Sequence, residues 1–141
     1  MQMSLVSDEA VLTTIIECAV EKYGEIDIME DYDMNVLETV EYIQNHCWLM
    51  TWYNQDLLAF VILEFIKDRI ASIHFCKLLP GNILRGWKMF EKFIDDEGIE
   101  LRCTIDKNKE SVIQFAERIG FEFYPGTHEY AIGRREARIS H

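Results

Sequence analysis

The stretch that decides the fold reads IASIHFCKLLPGNILRGWKMFEKFIDDEGIELRCTI, from Ile70 to Ile105. Its opening residues alternate, with Ile73 and Phe75 to one side and Ser72, His74 and Cys76 to the other. That is the period of a half-buried strand, spanning Ile70 to Leu78. Pro80-Gly81-Asn82 breaks it. Ile83, Trp87, Phe90 and Ile94 then recur at i, i+4, i+7 and i+11, which predicts an amphipathic helix ending before Gly98. Ile99 to Ile105 reads as a second strand. A strand, a helix and a strand joined this closely put the two strands side by side and parallel, through a right-handed crossover.

Working outward, Leu57 to Ile66 is apolar almost throughout, which suits a strand covered on both faces. Cys47 to Tyr53 is rich in strand formers. The polar turns Asn54-Gln55-Asp56 and Lys67-Asp68-Arg69 join these strands to the first into an antiparallel meander. Towards the N-terminus, Ser7-Asp8-Glu9 is a helix start with Ser7 as cap; Leu12, Ile15, Ile16, Ala19 and Tyr23 keep helical spacing until Gly24. Glu25 to Asp33 reads as an acidic loop. Val36, Leu37, Val40 and Ile43 form the buried face of a second helix, from near Asn35 to about Asn45. After Ile105 come a loop, Asp106 to Asn108, and a helix, Ser111 to Ile119, stopped by Gly120. Two short strands follow, Phe121 to Tyr124 and His128 to Gly133. The order α-α-β-β-β-α-β-α-β-β predicts an α+β class, a mixed and mostly antiparallel sheet flanked by helices. One domain is expected over residues 1–133, with a frayed basic tail over residues 134–141.

The 141 residues hold 25 acidic and 14 basic side chains, a net charge of −11, and 49% hydrophobic residues of which aromatics make 12% of the chain. Such a chain can bury a core, and intrinsic disorder is excluded. So much negative charge argues against nucleic acid, whose phosphates demand a basic surface. It suits cationic small molecules or protein partners. No apolar run reaches the roughly 18 residues of a membrane span. Met1-Gln2-Met3-Ser4 has neither a basic region nor an apolar stretch, so no signal peptide is expected and the cytoplasm is the default location. Cys18, Cys47, Cys76 and Cys103 form no CxxC pair and sit in apolar neighbourhoods, which predicts buried free thiols. His46-Cys47 with His74-x-Cys76 comes nearest to a metal pattern, but lacks four ligands at zinc spacing, so no metal is expected.

The element order resembles the GNAT superfamily, the acetyl-CoA-dependent N-acyltransferases. Residues carry the resemblance too. Asn108-Lys109-Glu110-Ser111-Val112-Ile113-Gln114-Phe115-Ala116-Glu117-Arg118-Ile119-Gly120-Phe121 is similar to that family's late signature, an asparagine, a short amphipathic helix and a Gly-Phe pair opening a strand. Leu79 to Phe90 occupies the place of its phosphate-binding loop, where backbone amides at a helix N-terminus face a pyrophosphate. The family pattern there asks for Gln or Arg, two residues, Gly, one residue, then Gly or Ala. Gly86 matches, while Ile83 and Lys88 depart from it. Ala116 stands where many members place a proton-donating tyrosine.

The resemblance implies transfer of an acetyl group from acetyl-CoA to an amine on a small molecule or protein, in a protein type for which homodimers are common. Leu78, Arg85, Gly86, Lys88 and Asn108 would face the CoA, which the departures make a weakly held co-substrate. Glu64, in the apolar strand, and His74, on the next, are the two candidate general bases. Glu64 buried without a partner would have a raised pKa, and His74 starts near neutrality. Trp48, Trp52 and Tyr53 fit either an acceptor pocket or the core, and the acidic loop could attract a cationic amine. The same departures fit a second expectation, a GNAT-like domain without chemistry that serves in binding or assembly. Some short phage-encoded proteins of this kind look virion-associated, and that would be the location in such a case.

Overall fold

A computed structural model describes residues 1–138. Among the described residues, seven strands form one mixed, mostly antiparallel sheet, with five helices. The elements are β1 (Gln2–Val6), α1 (Glu9–Tyr23), α2 (Asp27–Tyr32), α3 (Val36–His46), β2 (Cys47–Tyr53), β3 (Leu57–Lys67), β4 (Ile70–Lys77), α4 (Leu84–Glu97), β5 (Glu100–Asp106), α5 (Glu110–Arg118), β6 (Glu122–Tyr124) and β7 (Tyr130–Arg135). The strand order is β1-β2-β3-β4-β5-β7-β6. β4 and β5 are parallel neighbours, as the crossover requires, with Ile70, Ala71 and Ser72 opposite Glu100, Leu101 and Arg102. That ladder takes up only the first three residues of each strand.

The chain divides into two compact units. The first comprises Met1–Glu64 and His74–Gly86. Its core is the inner face of α1 (Leu12, Ile15, Ile16, Ala19) against Ile28 and Met29 of α2, Val40 and Ile43 of α3, and Leu49, Phe60 and Ile62 of the sheet. Burial drives this arrangement, at about 25 cal/mol per Å² of apolar surface withdrawn from water. The second unit comprises Phe65–Ile73 and the chain from Trp87 onward. Trp87 is its centre, edge-on to Phe90 at 5.6 Å and to Phe115 at 5.5 Å.

Four local expectations are corrected. The N-terminal residues form β1, antiparallel to β2 with Leu5 opposite Met50. The acidic segment is not simply a loop: Asp27–Tyr32 is helical because Ile28 and Met29 are buried among its acids. Asp33, at φ 51, closes that helix in the left-handed region, which Asp tolerates better than most residues. Asp8 rather than Ser7 caps α1, its carboxylate accepting from Val11 N at 3.0 Å. Cys18 is exposed on α1, whereas Cys47 is buried and Cys76 and Cys103 are half-buried; all four are free thiols.

The expected frayed tail is also overturned over its first residues. β7 runs through Arg134 and Arg135, and Arg135 is 1% exposed. Its guanidinium donates to Ile119 O at 2.8 Å and to Asp95 at 2.9 and 3.2 Å, with Glu91 at 3.3 Å. A buried cation persists only with such partners. The last residues of that tail, 139–141, lie outside the described residues.

Candidate functional site

Glu64 is the most informative residue of the first unit. It lies near the end of β3, opposite Cys47 of β2, with only 9% of its surface exposed. An ionised carboxylate at that depth must have its oxygens satisfied. Three side chains do so. Oε2 accepts from Tyr32 Oη at 2.5 Å and from Tyr42 Oη at 2.6 Å. Oε1 lies 3.0 Å from Nε2 of His74 on β4.

Each partner is delivered by a different element. Tyr32 is the last residue of α2, held by the burial of Ile28 and Met29 one turn earlier. Tyr42 flanks the buried face of α3, whose start is fixed by a capping box: Asn35 Oδ1 accepts from Glu38 N at 2.9 Å, and Glu38 Oε1 accepts from Asn35 N at 3.2 Å. The Tyr42 ring lies between those of Tyr32, at 5.1 Å, and His46, one turn on, at 4.9 Å. The tilted ring contact and the shared Glu64 oxygen therefore hold the two tyrosines together.

The electrostatics follow from these contacts. The hydrogen bond from His74 holds the Glu64 carboxyl down at about 2, with both tyrosines assisting and burial opposing. Sequence reasoning expected a partnerless acid with a raised pKa; the structure shows the reverse, because three donors outweigh the desolvation. In return, the carboxylate raises the Tyr32 hydroxyl, and burial together with the same carboxylate raises that of Tyr42. Burial, then the Glu64 charge, pushes the Cys47 thiol up to about 12, so Cys47 stays protonated and inert.

The sequence-predicted pair Glu64 and His74 is thus brought together, but in unequal roles. Glu64 at neutral pH is a fixed anion, too weak a base to collect a proton. His74, whose side chain is 19% exposed, retains a second ring nitrogen that this contact leaves unused. Sequence reasoning missed Tyr32 and Tyr42. The signal was faint: two tyrosines flanking the buried positions of adjacent amphipathic segments.

The residues expected to face CoA are placed as follows. Leu78, just past β4, is buried; its amide donates to Leu58 O at 2.8 Å and its carbonyl accepts from Lys22 Nζ at 2.5 Å. Its backbone is therefore engaged within the fold. Arg85 and Lys88 are exposed in the first turns of α4, and Asn82 Oδ1 accepts from Leu84 N at 2.9 Å at the helix mouth. Gly86 has a packing reason to be glycine, since a Cβ there would come within 2.9 Å of the fully buried Trp52 ring. Trp52 is a core residue, tilted against Phe75 at 5.6 Å. Asn108, in the second unit, is exposed in the turn after β5, its amide donating to Asp106 Oδ1 at 2.9 Å. Ala116 is buried and brings no hydroxyl.

Against known structures, this chain has the GNAT acetyltransferase fold. It is similar over 99% of its length, and 99% of the other chain, to an aminoglycoside 6′-acetyltransferase type Ii, with TM-score 0.70 and 16% identity. It is similar also to a ribosomal L7/L12 alpha-N-protein acetyltransferase in complex with coenzyme A, over 96% and 94% of the two chains, with TM-score 0.71 and 11% identity. A third is the spermidine N-acetyltransferase of Vibrio cholerae, over 95% and 92%, with TM-score 0.64 and 10% identity. A scan of protein-family models and a search of curated protein sequences found no match. No helix among the described residues is long and apolar enough to cross a membrane.

Proposed function

We propose that this protein is an N-acyltransferase moving an acetyl group from acetyl-CoA to a primary amine, with His74 as the proton acceptor. The observation that carries this reading is the part-buried Glu64–His74 pair, an ionised carboxylate 3.0 Å from an imidazole on the neighbouring strand. A structural role alone does not call for an imidazole there, since any donor would satisfy Glu64. Bound acetyl-CoA would supply an activated thioester carbonyl. The protein's part is to orient the amine, accept its proton at His74 as the N–C bond forms, and exclude water. The exposed acids of α2, Asp27, Glu30 and Asp31, adjoin Tyr32 in sequence and favour a cationic acceptor.

The residues of the α4 start fit a diphosphate by charge. Arg85 and Lys88 are exposed cations at the positive end of a 14-residue helix. They offer attraction without the glycine-lined approach of the fold's phosphate loops. Weak, salt-sensitive binding is expected, with a dissociation constant nearer 100 µM than 1 µM, about 5.5 kcal/mol. Calorimetric titration of acetyl-CoA at two salt concentrations tests this. Thiol release assayed with an aminoglycoside, spermidine and an N-terminal ribosomal peptide would then identify the acceptor class. The three similar structures act on these three kinds of amine by name, so the fold leaves the choice open.

A second reading is favoured by Gly86 and Leu78. The glycine is accounted for by Trp52, and the Leu78 amide by Leu58. Neither needs CoA. A GNAT-fold protein used for binding or assembly would look like this, and it alone survives if millimolar acetyl-CoA gives neither heat nor thermal shift.

A further inference from the structure

The Glu64 carboxylate divides its two oxygens between two kinds of donor. Oε2 takes both tyrosine hydroxyls, and Oε1 faces only His74 among the contacts described above. A carboxylate that is ionised has no hydrogen to give, so across the 3.0 Å contact the imidazole must be the donor. Neutral His74 then carries its proton on Nε2, and its lone pair is on Nδ1.

We infer that Tyr32 and Tyr42 are positioning residues: by occupying Oε2 they commit Oε1 of Glu64 to His74 and so fix the tautomer that leaves Nδ1 as the basic nitrogen. Use of that nitrogen in acyl transfer rests on the function proposed above; the tautomer does not. Tyr32 has a further property. It reaches the site from α2, a helix of six residues bearing three acids. The segment that would receive a cationic amine therefore also supplies a donor to the group that aligns the base.

The groups facing the pair are Tyr32 from α2, Tyr42 from α3 and Cys47 from β2, with His46 reaching it only through the Tyr42 ring. Cys47 stays a neutral thiol, so the hydroxyls are the adjustable donors. Donors on Oε2 draw off part of the carboxylate's charge. Removing one frees the carboxylate to rotate away from its 3.0 Å contact, so the hold on the Nε2-protonated tautomer weakens.

The test is long-range proton–nitrogen NMR of the histidine rings in the resting protein, with His74→Ala to assign the signals. The wild type is expected to show His74 protonated on Nε2. Tyr32→Phe, a change on a half-exposed residue, is expected to lower the Nε2-protonated share of neutral His74 in favour of the Nδ1-protonated form. Tyr42→Phe should act in the same direction, while His46 stays unmoved in Tyr32→Phe. An Nδ1-protonated His74 overturns the inference. So does a Tyr32→Phe protein whose His74 tautomer is unchanged, which marks a purely structural tyrosine. Absence of thiol release from acetyl-CoA alongside an Nε2-protonated His74 ends the proposed function and leaves this inference standing.

Discussion

At the scale of single residues, Glu64 makes the sharpest prediction. Its carboxyl titrates near 2 in the folded chain against an ordinary 4.5. The unfolded chain therefore binds more protons in that interval, and stability rises with pH across it. The stabilisation is complete above about pH 4.5 and disappears as the pH falls towards 2. Its size is on the order of 3 kcal/mol, and Glu64→Gln should flatten that part of the curve in chemical denaturation measured from pH 2 to 6. Gly86→Ala tests the packing reading of the loop glycine. The new methyl would meet a Trp52 ring that has nowhere to go, for a loss of roughly 1–3 kcal/mol in denaturant unfolding. The candidate bases were legible because residue type and strand parity suffice to find a carboxylate and an imidazole in apolar surroundings. Their partners were not. Tyr32 and Tyr42 come from 32 and 22 positions away from Glu64, and only the packing of α2 and α3 brings their hydroxyls to it.

At the scale of elements, periodicity found what is long and missed what is short. The α4 and β3 boundaries fall within a residue of expectation, because fourteen and eleven residues carry enough pattern. β1 has five residues and an irregular burial pattern at the sheet edge, so no alternation announces it. α2 hides two buried residues among acids, and charge masked its period. The cap of α3 supports the site at one remove. Asn35→Ala removes a capping box and should cost about 1 kcal/mol, read as a lower thermal midpoint. Because α3 carries Tyr42, that variant should also loosen Glu64, visible as a faster exchange of the Tyr42 hydroxyl proton.

At the scale of the whole molecule, the sheet order was predictable where a crossover dictates it and not where the chain doubles back. The parallel β4–β5 pair followed from connection length. The C-terminal residues gave no comparable cue, since three arginines in a polar stretch read as solvated. Arg135 is instead the buried tie between β7, α4 and the end of α5. Burial alone would raise Asp95, yet Arg135 and the Arg138 amide hold its carboxyl below the ordinary range. Arg135→Met keeps the bulk and leaves two acids uncompensated, so a loss of roughly 3–5 kcal/mol is expected in denaturant unfolding. The position of β7 also bears on how the protein is made. It is the last strand of the described chain, yet it sits between β5 and β6. On a ribosome adding roughly 5–20 residues per second, those two strands emerge first and wait without the partner that joins them. Their open edges are the part of the nascent chain most exposed to wrong pairing, and the second unit closes only after Arg135 has cleared the exit tunnel.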